Sequence, residues 1–197
     1  MDYIKISPEE LKSRLKESLT EKRYNHSIGT ADCAKILARE YGVDEQKAYI
    51  GGLLHDCAKC FPDDKMLEIL DKIPDVDLEE RSNYKTWHAP VSSYVAHFEF
   101  GVTDEEILSA IRWHTIGKLN MTTFEKIIFL ADKIETVTRE KDFMKEAKEA
   151  LKEPNGLDKA ILICHKCTIK SLVDRNLTIC SKTVEIYNDL QTKLNVK

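Results

Sequence analysis

The chain has no apolar run approaching the ~20 residues needed to cross a bilayer. Its first residues, Met1 to Pro8, carry none of the long apolar core of a signal peptide. Membrane insertion and export are therefore not expected, and the reading is of a cytoplasmic protein. An excess of one charge is also missing. The formal net charge is −4, with acids and bases interspersed rather than blocked, whereas a duplex nucleic-acid surface is basic. Nucleic acid is set aside as the main ligand, although a local positive pocket remains allowed. No strand-like alternation persists and no repeat or low-complexity segment occurs, which argues against sandwiches, barrels and solenoids. Zinc-ribbon spacing is absent too. The pairs Cys57/Cys60 and Cys164/Cys167 both read CxxC, but they lie far apart, not at the short ~15–20-residue separation of zinc ribbons. Cys164 and Cys167 fall at i, i+3 in an apolar helical run, where small buried hydrophobes account for them. Disulfides are not expected in a reducing compartment.

What the chain does have is helical signal almost throughout its 197 residues. Ser7-Pro8-Glu9-Glu10 supplies an N-cap and a first-position proline for a helix running to about Leu19. A pattern from about Tyr24 to Tyr41 stops at Gly42. Asp44 caps the next helix, which ends at His55-Asp56. Pro62 and Asp63 open another, His88 to Phe100 forms one that Gly101 terminates, and Thr103-Asp104-Glu105-Glu106 caps the helix leading to His114. Thr122-Thr123-Phe124-Glu125 starts the helix bearing Asp132, and Leu157 to Asp174 and Ser181 to Leu194 follow. The stretches 72–85 and 153–156 are short enough to be loops within one domain. The expectation is an all-α, single-domain helical bundle spanning 1–197, with its core about 20–140 and the helices of 157–195 packed on it.

His55-Asp56, in Gly51-Gly52-Leu53-Leu54-His55-Asp56-Cys57-Ala58-Lys59, places an imidazole beside a carboxylate after an apolar stretch. A helix turns consecutive side chains well apart, so such neighbours converge on one ion only near a helix end. The glycines upstream suit close packing and Lys59 suits a phosphate. His26 and Asp132, each embedded in apolar pattern, are candidate partners. Two imidazoles and two carboxylates form a nitrogen and oxygen set suited to iron, manganese, cobalt or zinc, and too rich in nitrogen for calcium. His88 and His114 add further polar groups in hydrophobic surroundings. Any one histidine alone reads best as a satisfied core residue. The ordered set reads as a metal centre, since one ion accounts for several costly polar placements at once.

The order His26, His55-Asp56, His88, His114, Asp132 resembles the HD-domain metal-dependent phosphohydrolases. The words Arg23-Tyr24-Asn25-His26-Ser27, Gly52-Leu53-Leu54-His55-Asp56, His88-Ala89-Pro90-Val91, Ala110-Ile111-Arg112-Trp113-His114-Thr115 and Ala131-Asp132-Lys133-Ile134-Glu135 resemble its YqeK-type branch, the symmetrical bis(5'-nucleosyl)-tetraphosphatases. Five words in register carry far more weight than a bare His-Asp pair. Ala89 stands where that branch often has glycine, Ile116 where it often has threonine, and extra residues follow Glu135. None of these departures removes a metal ligand.

The resemblance implies a hydrolase that splits diadenosine tetraphosphate into two ADP. Its implied metal ligands are His26, His55, Asp56 and Asp132, and its implied cofactor is one or two divalent ions, iron first. Asp56, His88 and His114 are the catalytic candidates, with His88 and His114 either touching phosphate or completing a second metal position. Lys59, Thr115 and Arg139, together with the same two histidines, are the substrate-binding candidates. The run Arg14, Lys16, Lys22, Arg23 reads as a solvated helical face, although the resemblance, with its early arginine, singles out Arg23, and Trp87 and Trp113 read as packing. The expected partner is a dinucleoside polyphosphate or another nucleotide, with no nucleic acid or membrane and with a homodimer allowed. Two other classes stay open. One is a different HD hydrolase, such as a nucleotidase, a deoxynucleotide triphosphohydrolase or a phosphodiesterase. The other is a non-catalytic nucleotide-binding module.

Overall fold

The computed structural model describes residues 3–138 and 142–195, and it is helical with no strand among those residues, as the sequence predicts. Local capping explains most boundaries. In α1 (Pro8–Ser18) the Ser7 side chain accepts the Glu10 N–H. The second helix, α2 (Glu21–Glu40), begins ahead of Tyr24 because Thr20 caps it by accepting the Arg23 N–H. That first turn is polar and so escapes an apolar pattern. Asp44 accepts the Lys47 N–H to open α3 (Glu45–Leu54). Then come α4 (Asp63–Leu70), α5 (Leu78–Ser82), α6 (His88–Phe98) and α7 (Glu105–Trp113). Thr122 and Glu125 close a full capping box on α8 (Thr123–Ile134). The remaining helices are α9 (Asp142–Ala150), α10 (Gly156–Asp174) and α11 (Ser181–Asn195). An isolated antiparallel bridge joins Ile4 to Val102.

Two helices lie outside the sequence expectation. The first, α5, falls inside the stretch read as a loop. It is a single capped turn with Asp77 accepting the Glu80 N–H, too short to show a period. The second, α9, buries Met144, Ala147 and Ala150 at every third position, an amphipathic face between Glu135 and Leu157 that the sequence reading passed over.

Packing centres on α8, which touches α2, α3, α7, α9 and α10. Phe124, Ile127, Ile128, Phe129, Leu130, Ala131 and Ile134 are all buried, so this helix is apolar around most of its circumference, as a central helix must be. Asp132 is carried into the interior with them. The connected apolar core runs from Ile4 to Leu190. A bidentate pair, Arg112 Nη1 to Glu80 Oε1 at 2.8 Å and Arg112 Nη2 to Glu80 Oε2 at 2.9 Å, ties α7 to α5, and Lys182 of α11 joins it at 3.3 Å.

The backbone of α3 runs unusually close to α2. A Cβ at Gly52 would lie 2.6 Å from the Ala31 Cα and 2.8 Å from the Ala31 nitrogen. Neither atom is a side-chain tip that swings away. Gly52→Ala gains under ~1 kcal/mol of helix propensity but incurs an overpacking cost of ~1–3 kcal/mol. A net loss of about 1–2 kcal/mol is expected, read as a lower urea midpoint at unchanged slope. Equal or greater stability would show that the two helices can separate without cost.

Candidate metal centre

The six residues singled out by pattern meet in one buried place. His26 sits in α2, His55 is the C-cap of α3 with Asp56 directly after it, His88 is the first residue of α6, His114 is the C-cap of α7, and Asp132 lies in the last turn of α8. His55 and Asp56 stand at a helix end, the location their adjacency demanded. All six are buried. The rings of His26, His55, His114 and His88 follow one another edge to face at centroid spacings of 5.1, 4.9 and 5.1 Å.

Hydrogen bonds on the far side of three rings fix their tautomers. His55 Nδ1 donates to the Gly52 carbonyl and His114 Nδ1 to the Ile111 carbonyl, both at 2.7 Å. These carbonyls belong to the last turns of α3 and α7, where no intrahelical donor remains for them. His26 Nδ1 donates to Glu135 Oε1 at 3.0 Å. In each neutral ring the Nε2 lone pair then points inward, the arrangement in which a ligating histidine is oriented by a carbonyl or carboxylate behind it.

Those lone pairs face one another and two carboxylates. His26 Nε2 is 3.2 Å from His55 Nε2 and 3.0 Å from Asp132 Oδ1. Asp56 Oδ2 lies 3.9 Å from His26 Nε2 and 3.7 Å from His55 Nε2. The other oxygen of the same carboxylate, Oδ1, lies 3.3 Å from His88 Nε2 and 3.5 Å from His114 Nε2. Two acceptors at hydrogen-bond distance with no proton between them repel, and a cation removes that repulsion. Asp56 Oδ1 is moreover buried without a hydrogen-bond partner among the described residues, a costly condition unless an ion or water satisfies it. Two ligand triplets fit an ion, His26 with His55 and Asp56, and Asp56 with His88 and His114. Asp56 is common to both.

The titration behaviour agrees. Burial opposes charge on His55, but the Asp56 and Asp132 carboxylates and the Gly52 carbonyl outweigh it and raise its pKa. Burial likewise opposes charge on Asp56, yet the surrounding imidazoles and Lys59 hold its pKa well below the usual carboxylate range. Burial lowers His88, assisted by Lys59, and burial lowers His114 against the pull of Asp56. The site thus attracts positive charge at one end and keeps two neutral imidazoles at the other.

Lys59 and Thr115 lie at that second end. Lys59 Nζ is 2.8 Å from His88 Nδ1, and Thr115 Oγ1 is 2.9 Å from His88 Nε2 and 3.0 Å from His114 Nε2. Arg139 lies outside the described residues. Arg23, read from sequence as part of a solvated face but singled out by the family's early arginine, donates to Asp56 Oδ2 at 3.1 Å, one helical turn before His26. Glu135 and Lys133 had no role in the sequence reading. Glu135 holds His26, and Lys133 Nζ donates to the His114 carbonyl at 2.9 Å. Both sit in the Asp132 word, which was the clue. Trp87 donates Nε1 to the Arg81 carbonyl and Trp113 lies under Arg112. Cys57 and Cys164 are buried thiols whose pKa burial pushes up, and all six cysteines are unbridged. Among the described residues, no cysteine joins a cluster able to hold a metal.

Comparison with known proteins places this geometry in a family. Residues 23–137 match the HD domain, a span that opens at Arg23 and closes just beyond Glu135. The symmetrical bis(5'-nucleosyl)-tetraphosphatase of Bacillus subtilis is 37% identical over 185 residues, covering 93% of this chain and 97% of that protein. Its namesake in Staphylococcus aureus is 35% identical over 180 residues, covering 91% and 92%. A crystal structure described as a predicted HD superfamily hydrolase involved in NAD metabolism, from Clostridium acetobutylicum, superposes with a TM-score of 0.89 at 37% identity, covering 95% of this chain and 98% of that one. With its ordered His and Asp residues gathered at one buried point and its relatives matched nearly end to end, the chain belongs to the HD domain family, in the branch of the symmetrical bis(5'-nucleosyl)-tetraphosphatases.

Proposed function

We propose that the protein hydrolyses diadenosine tetraphosphate symmetrically to two ADP, at a divalent-metal centre held by His26, His55, Asp56 and Asp132, with Asp56, His88 and His114 holding a second ion. The observation that carries this reading is the Asp56 carboxylate, which turns one oxygen to each histidine pair and leaves one of them without a hydrogen bond. The names of the relatives supply the substrate. Iron is the first choice of metal for this nitrogen and oxygen set, with manganese, cobalt and zinc also compatible.

Bound there, a divalent ion would supply positive charge for the phosphoryl oxygens and acidify a water molecule. The chain's own groups do the rest. Lys59 and Arg23 are cations at the rim of the cluster, placed to hold phosphate oxygens by charge-assisted hydrogen bonds. Thr115 adds a hydroxyl between His88 and His114, and Arg139 is assigned to the outer phosphates. Asp56 Oδ1 accepts a hydrogen bond from the attacking water and orients it; a carboxylate so averse to protonation serves as an aligner more than as a base. The water oxygen adds to one inner phosphorus, the bridging P–O bond breaks with its electron pair on the departing ADP oxygen, and the proton that the water gives up passes to solvent as the two ADP molecules leave.

Metal and turnover should disappear together in His55→Ala and in Asp56→Ala, while circular dichroism still reports a helical protein. Elemental analysis against turnover checks this. A His55→Ala protein with full metal content and rate would remove that residue from the ligand set. Lys59→Ala should keep its metal and lose roughly 1.5–3 kcal/mol of substrate or transition-state binding, seen in KM, kcat or both; unchanged kinetics would make Lys59 a bystander. Under anaerobic conditions with diadenosine tetraphosphate in heavy-oxygen water, ADP should be the sole nucleotide product, with one labelled oxygen in one of each two ADP molecules. AMP with ATP would mean an asymmetrical cut. Release of phosphate or tripolyphosphate from mononucleotides would point to another HD hydrolase activity.

A further inference from the structure

His26 differs from the other histidines of the cluster in where its orientation comes from. His55 and His114 are C-caps and donate Nδ1 to carbonyls of their own last turns. His26 lies within α2, where the helix's own N–H groups occupy the carbonyls, so its Nδ1 partner, Glu135, comes from 109 positions away. We infer that Glu135 and Gly29 are positioning residues for the metal centre: the carboxylate, seated where Gly29 has no side chain and clamped by the backbone that follows α8, decides which nitrogen of His26 is left to ligate. The inference rests on the ligand role proposed for His26 above and is independent of the substrate.

The clamp is built from the chain next to it. Helix α8 ends with Glu135 as its C-cap, and the backbone then turns back so that the Val137 and Thr138 N–H groups donate to Glu135 Oε2 at 2.7 and 3.1 Å. The other oxygen, Oε1, accepts from the Thr138 hydroxyl and from His26 Nδ1. Two donors thus meet each oxygen, and the carboxylate is buried. A carboxylate offers acceptors only. The ring nitrogen that faces it therefore carries a proton, and Nε2 is the nitrogen turned to the cluster.

Gly29 makes the seat. It lies one turn after His26 on the same face of α2, and a Cβ there would stand 2.6 Å from Glu135 Oε2 and 2.9 Å from the Val137 Cβ. Any side chain would collide with the oxygen that the backbone N–H groups anchor. The atoms in the way differ from those at Gly52. They are the tip of Glu135 and the side chain of Val137, which is 62% exposed, so an added methyl group displaces the carboxylate and leaves the helices in place. Glycine is unfavourable inside a helix; here it admits the group that orients a ligand.

Glu135→Gln, almost isosteric, separates orientation from mere packing. The amide has one acceptor oxygen and one NH2 group. The two backbone N–H groups claim the oxygen, which turns the NH2 toward Thr138 and His26. Without metal this is comfortable, because Nδ1 accepts and Nε2–H donates to Asp132 Oδ1, 3.0 Å away. With an ion on Nε2 the proton returns to Nδ1 and two donors face each other. In the metal-free full chain, NMR of the ring nitrogens should show His26 Nδ1 protonated in the parent and unprotonated in Glu135→Gln, with His26→Asn identifying the signal. The urea midpoint of the metal-free variant should stay at the parent value. Titration with manganese(II), the free ion read by electron paramagnetic resonance, should show one binding step weakened about ten- to a hundredfold in Glu135→Gln and in Gly29→Ala, with helical circular dichroism retained in both. Parent affinity in either variant, a His26 Nδ1 that keeps its proton in Glu135→Gln, or an unprotonated Nδ1 in the parent overturns the inference. His26→Asn is scored separately. Parent manganese affinity there rejects the ligand assignment and the inference with it; weakened binding there beside parent affinity in Glu135→Gln rejects the inference and keeps the ligand.

Discussion

The structure turns on an electrostatic constraint: a buried cluster of imidazole nitrogens and carboxylate oxygens that a divalent cation could satisfy. Nε2 lone pairs on His26 and His55 and carboxylate oxygens of Asp56 and Asp132 occupy one buried volume at separations of 3.0–3.9 Å. In a low-dielectric interior lone pairs that face one another repel, and a buried oxygen without a partner, as Asp56 Oδ1 is among the described residues, costs kilocalories. A bound ion would turn those repulsions into attractions. The arrangement on the second side of Asp56, facing His88 and His114, repeats the same logic with the other oxygen of that carboxylate.

Helix ends make the conflict buildable. His55 and His114 occupy equivalent places, each the C-cap of its helix and each donating Nδ1 to a carbonyl three residues back. One hydrogen bond answers two needs: it occupies a carbonyl that the helix leaves without a donor, and it commits the imidazole to presenting its other nitrogen inward. Ending α3 there also lets Asp56 depart from the helical direction and face the same point as its neighbour. The close approach at Gly52 brings α2, and with it His26, against that end.

Around this centre the remaining charges are arranged in rings. Glu135 and Lys133 hold the histidines from behind, Arg23 and Lys59 stand at the rim, and farther out the Glu80–Arg112–Lys182 group binds α5, α7 and α11. Removing one member of a buried pair such as Glu80–Arg112 leaves the other charged and stranded, so the outer group fixes how α5, α7 and α11 sit together.

Much of this was legible in the sequence. Period and caps gave the helices that carry the site: Asp44 before α3, the Thr122–Glu125 box before α8, and Gly42 after α2 with its positive φ of 69°. The order and wording of His26, His55-Asp56, His88, His114 and Asp132 identified the family, since a metal constrains residue type more sharply than packing does. Short-range signals failed at α5, a single turn too short to show a period, whereas the apolar face of α9 was present in the sequence and passed over. The tertiary structure alone decided that Arg23 reaches Asp56, that Glu135 sets the tautomer of His26, and that each oxygen of Asp56 serves a different histidine pair. The first two of these contacts join residues 33 and 109 positions apart, and a distance across the fold leaves no period in a chain. Sequence determines which groups are available and which helix ends present them; only packing around α8 decides which lone pairs come to face each other.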